Sequence, residues 1–120
     1  MDVVITPINE RVAPDDLRAV VGDVIFTNRE RAGFWYHHAG IVFEVDMHGR
    51  PKVIVHFDPS ELDPNIGFVR AFRGGLGRPV SVDLHTFAAN NHVVIRHRGP
   101  DDSRSVRERI TASLLEDRWY

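Results

Sequence analysis

A chain of 120 residues is long enough for one domain around one hydrophobic core, and its 42% hydrophobic and 27% charged content excludes the disordered class. A formal net charge of −2, with no strongly basic half, argues against nucleic acid as a partner, because a phosphate backbone is usually held by a basic stripe. The absence of cysteine excludes a disulfide scaffold, a thiolate zinc site and a cysteine nucleophile within these residues.

The opening residues, Met1 to Pro7, have neither the positive start nor the long apolar run of a signal peptide. No stretch approaches the roughly 18 apolar residues of a membrane span, so the expectation is a cytoplasmic protein without one. Pro14 to Val21 reads as a short helix: proline suits the first helical position, Asp15 and Asp16 face the positive end of the dipole, and Gly22 stops it. Leu17, Val20 and Val21 would be its buried face. Asp23 to Thr27 is then a strand, and Asn28 to Tyr36 a loop with an aromatic end. Alternation sends Trp35 away from Phe34 and Tyr36 if the run is extended, which makes Trp35 and Tyr36 the candidate ligand-contacting residues.

The strongest local signal is a hairpin. His37 to Val45 and Lys52 to Phe57 are rich in Val, Ile and Phe, and the loop between them places Asp46, Gly49 and Pro51 where a reversal needs them. Antiparallel pairing brings His38 and His56 to the same end of the sheet. Whether they share a face depends on register, since one residue of slip flips every side chain.

Asp58 to Asn65 is a proline-punctuated connector, and Ile66 to Arg73 a strand. Gly74 to Pro79 is a turn, lacking the lysine and following helix of a phosphate loop. Pro79 to Leu84 alternates as a half-buried strand. Asp83 is placed to cap a short helix, Leu84 to Ala89, which Asn90 and Asn91 end. His92 to Arg98 is another strand, and Ser103 to Asp117 a helix with Val106, Ile110 and Leu114 on one face. The tally predicts an α+β domain, a small, largely antiparallel sheet with helices packed on one side.

Of the seven histidines, His38 and His56 are the candidate catalytic pair. One imidazole takes a nucleophile's proton and a second polar group fixes its tautomer; His38 as base and His56 as orienter suit this, while Ser81, Ser103 and Ser105 lack an activating context. A zinc site from His37, His38, His56 and Asp58 is the second use of these residues, opposed by the alternation that separates adjacent histidines on a strand. The third is structural, hydrogen-bonded histidines at strand ends. No metal or other cofactor is expected.

Gly22-Asp23-Val24-Ile25-Phe26, His38-Ala39-Gly40-Ile41-Val42-Phe43 and Val53-Ile54-Val55-His56-Phe57, in that order, resemble the opening half of the lecithin retinol acyltransferase-like family. This is the circularly permuted branch of the papain-like superfamily that also holds bacterial cell-wall endopeptidases and phospholipase/acyltransferases. Val82 to Phe87 with the strand after it, and the helix leading to Trp119-Tyr120, resemble later parts. The resemblance implies a permuted papain-like fold with His38 as general base and His56 as the group that polarises it. It also implies a cysteine nucleophile on the next helix, which would lie beyond Tyr120 and is absent from these residues.

The resulting expectation is a degenerate, non-catalytic domain acting as a binding or regulatory module, with a vestigial His38/His56 pair. One alternative is an amidohydrolase or acyltransferase completed by a cysteine helix from a partner or a longer natural chain. The other is an unrelated small protein-interaction domain. A protein partner or a homodimer, and a lipid or peptide-like ligand, are the expected company.

Overall fold

A computed structural model of the chain describes residues 4–31, 33–57, 79–98 and 108. These form one six-stranded sheet: β1 (Arg11–Val12), β2 (Val24–Arg31), β3 (Phe34–Val45), β4 (Pro51–Phe57), β5 (Pro79–Val82) and β6 (Val93–His97), in the spatial order β1-β6-β2-β3-β4-β5. Every pairing is antiparallel. Helical structure in these segments is a 3-10 turn at Pro14–Asp16, the five-residue helix α1 (Leu84–Ala88) and the helical residue Glu108.

The α+β, permuted papain-like arrangement with helices packed on one side is therefore corrected: the described residues form a mainly antiparallel sheet bearing the short helix α1. The expected helix from Pro14 to Val21 is the clearest reason. Beyond Asp16 the chain is extended, and Leu17, Ala19 and Val21 are buried while Arg18 and Val20 are half-buried. That alternation is a strand-like period. Distant partners hold it: Thr6 N–H donates to Arg18 O and Ala19 N–H to Gly49 O, both at 2.9 Å. The expected connector after Phe57, the strand at 66–73, the glycine turn and the C-terminal helix lie outside the described residues, apart from Glu108, which is helical.

The expected loop between the first strand and the hairpin is also corrected. β2 and β3 pair in continuous register from Val24↔Ile41 to Arg31↔Phe34. Gly33, at φ +82°, supplies the left-handed backbone that so tight a reversal demands. The β3–β4 hairpin forms where the sequence places it, and its loop is tied by the Asp46 carboxylate, which accepts from His48 N–H at 2.8 Å and Arg50 N–H at 3.0 Å. The Arg50 bond is the leading cause holding Asp46 below the ordinary carboxylate range.

One face of the sheet is the core. Ile25, Val42, Ile54, Val93 and Ile95 project from it beneath Leu17, Ala19, Leu84, Phe87 and Ala88. A smaller cluster on the other face joins Val21 and Val55 to the half-buried Ile41, Phe43 and Val45.

Candidate functional site

Register decides which side chains can meet. His56 on β4 is paired with Gly40 on β3, and Thr27 on β2 with His38, so Thr27, His38, Gly40 and His56 all lie on the core face. His38 Nε2 and His56 Nδ1 are 2.5 Å apart, a direct imidazole–imidazole hydrogen bond. One nitrogen donates and the other accepts, so the bond requires that the two together carry a single proton between them. Both rings are buried, at 3% and 2% exposure, and they meet edge to face with centroids 4.7 Å apart.

Phe87 roofs the pair, its centroid 5.4 Å from His38 and 5.9 Å from His56. This is possible because residue 40 is glycine: a Cβ there would lie 2.6 Å from Ile54 Cγ2 and 2.7 Å from Phe87 Cε2. The His-Ala-Gly run thus has a packing reason, histidine supplying the polar group and glycine the room for its lid.

Helix α1 carries that lid and is fastened at both ends. Its N-cap, Asp83, accepts from Thr86 N–H at 2.7 Å, satisfying one of the first-turn donors. At the other end Arg29 donates to Phe87 O at 2.6 Å and to Thr86 O at 3.0 Å, a cation on the carbonyl end of the helix. The Thr27 hydroxyl donates to His92 O at 2.9 Å and lies 3.3 Å from Ala88 O.

The Gly-Asp pair at the mouth of β2 is structural. Gly22 sits at φ 95° in the 20–23 turn that leads into β2, with its N–H donating to Val42 O at 2.8 Å. The fully buried Asp23 carboxylate accepts from Val20 N–H at 2.9 Å, so the turn is bonded to its own side chain and to β3.

The sequence-derived candidates separate. His38 and His56 are brought together. Tyr36 shares their face, with its ring edge-on to His38 at 6.0 Å. Trp35 projects from the opposite face, 68% exposed, and does not join them. The zinc set is not assembled, because His37 alternates away from His38 onto that opposite face, and Asp58 lies outside the described residues. Among the described residues no group of three or more His, Asp or Glu side chains is arranged to hold a metal ion.

Sequence reasoning missed Phe87, Gly40, Thr27 and Arg29 as parts of this site. A signal existed for two of them. In Ile25-Phe26-Thr27-Asn28-Arg29 the core-facing positions of an apolar strand turn polar at Thr27 and Arg29, which marks the place where a neighbouring element presents backbone carbonyls.

Of the serines considered as nucleophiles, Ser81 is exposed and pairs with Val55 on the face away from His56. Ser103 and Ser105 lie outside the described residues. The arrangement joins two buried imidazoles, and Ser81 does not join them. Comparisons with protein-family models, with curated proteins and with solved structures find no match.

Proposed function

We propose that this chain is a non-catalytic binding or regulatory module, a degenerate relative of the lecithin retinol acyltransferase-like domains in which the His38/His56 pair survives as a buried polar bond. The reading rests on the short motifs of the hairpin and not on the fold as a whole. The observation that carries it is the imidazole pair itself, sealed under Phe87 in a sequence without cysteine. A base that serves a thiol works by holding it as thiolate; with no thiol in these residues there is no acyl-enzyme for the pair to make. What remains is a buried hydrogen bond beside an apolar core, where a polar pair fixes the register of the two strands that carry it.

Such a module acts through its surface, with a protein, a second copy of itself, or a lipid or peptide-like ligand as partner. Trp35, exposed near the start of β3, is the side chain best suited to anchor one. The test is hydrolysis of amide and thioester substrates by the purified chain, without added thiol. No turnover above buffer is expected, with wild type and His38→Ala alike; turnover that disappears in His38→Ala would sink the proposal.

A second reading is favoured by the same bond, because Nε2 of His38 held by a second imidazole is how a general base is oriented. On that reading a cysteine helix from a partner or a longer natural chain completes an amidohydrolase or acyltransferase. A peptide carrying an Asn-Cys helix should then be labelled by a thiol-directed probe faster with the chain than alone. Equal rates with wild type and His38→Ala would rule it out.

A further inference from the structure

The face of the sheet opposite the imidazole pair carries a second chemically distinct feature. Register places Arg11 of β1 beside Val94 of β6, Val94 beside Phe26 of β2, and Asn28 of β2 beside His37 of β3. Alternation then puts these side chains, with Arg96 two residues beyond Val94, on one face of four adjacent strands. They enclose a recess of about 210 Å³, which His92 also lines. Phe26 and Val94 are half-buried and make an apolar floor, while Arg11, Asn28, His37, His92 and Arg96 are exposed around it.

The charge is one-sided. Among the described residues no carboxylate lines the recess, and the Arg11 side chain makes no hydrogen bond or ion pair. Arg96 is pre-positioned, its Nη1 donating to Asn9 Oδ1 at 2.8 Å, which leaves the rest of its planar fork for a ligand. Guanidinium groups over an apolar floor match a carboxylate joined to a flat apolar body: the forks take the oxygens and the floor takes the body.

From this geometry we infer that the recess between β1, β6, β2 and β3 is a binding site for a small organic monocarboxylate with a planar apolar body. A bare phosphate uses the arginines and wastes the floor, and a long polyanion exceeds a recess of this size. Its arginines and its apolar floor lie on the face of the sheet opposite the His38/His56 pair.

Titration of the isotope-labelled chain with benzoate, followed by backbone amide NMR, tests it. Saturable shifts are expected at Phe26, Asn28, His37 and Val94. Benzamide, the same shape without the charge, and inorganic phosphate, the charge without the body, should each bind more weakly than benzoate. Arg11→Gln, which removes a side chain with no bond to lose, should weaken benzoate about tenfold, the equivalent of one charge-assisted hydrogen bond. Lys52→Gln, the same charge change elsewhere, should leave it unaltered. Absence of saturable shifts in the wild type, equal weakening by the two substitutions, or tighter binding of phosphate than of benzoate would each overturn the assignment.

Discussion

His37 and His38 are neighbours in sequence and opposites in environment. His38 is 3% exposed, bonded to a second imidazole and roofed by a phenyl ring, whereas His37 stands exposed beside a cationic recess. Nothing in the residue type distinguishes them. The difference comes from strand alternation and from what, among the described residues, covers each face: α1 and the 17–19 segment on one side, and on the other a small cluster at the hairpin end of β3 and β4. A histidine's role is thus set by the face its register assigns, and a one-residue slip of β3 would exchange the two.

The largest effect should come from removing the cover. Phe87 is fully buried against both imidazoles and the core, and Phe87→Ala should destabilise by about 3–5 kcal/mol, read from urea unfolding. A loss below about 1 kcal/mol would mean that the roof does not pack as described, and the contrast between the faces would weaken.

A direct comparison of the two histidines comes next. His56→Ala leaves a buried His38 nitrogen without its bond and should cost about 1–3 kcal/mol. His37→Ala should stay within about 0.5 kcal/mol of wild type. A cycle of His38→Ala, His56→Ala and the double variant should give a coupling of about 0.5–3 kcal/mol; additive losses would show that the bond adds nothing to stability. Gly40→Ala tests the space between them. Its new methyl meets Ile54 Cγ2 and Phe87 Cε2 well inside contact distance, neither atom being the loose end of a flexible chain, so a destabilisation of about 1–3 kcal/mol is expected.

The hairpin was legible because turn residues and β-branched runs agree on it locally, and with it the fact that His38 and His56 approach one end of the sheet. Their shared face was not legible. It depends on pairings such as Gly40↔His56 and on the irregularity between Val42 and Glu44, which loop composition does not encode. Leu17, Val20 and Val21 fit a helical period, while Leu17, Ala19 and Val21 fit a strand-like one. So short a window cannot arbitrate, and the outcome was set by backbone partners at Thr6 and Gly49. Asp83 was readable as a cap because capping is local chemistry; Arg29 clamping the far end of the same helix joins residues 57 and 58 positions apart and was not. The recess draws on four strands and has no contiguous signature at all.

That cap gives the gentlest way to separate the faces. The Thr86 N–H bond, aided by a side-chain bond from the same residue, holds Asp83 below its ordinary value of 3.8. A carboxylate depressed in the folded state adds stability that is fully present above the unfolded value and is lost as pH falls through the lower folded one. The window therefore lies below about 3.8, and stability should fall there as the cap is protonated. Because α1 carries Phe87, acid should lower the amide protection factors of α1 sooner than those of Phe26 and Val94. Asp83→Asn keeps a capping oxygen that does not titrate, so in that variant the difference between the two regions should change less over the same range. Identical acid responses from wild type and Asp83→Asn would show that the lid is held by Arg29 and Thr27 alone, with the N-terminal cap contributing nothing to the separation of the two faces.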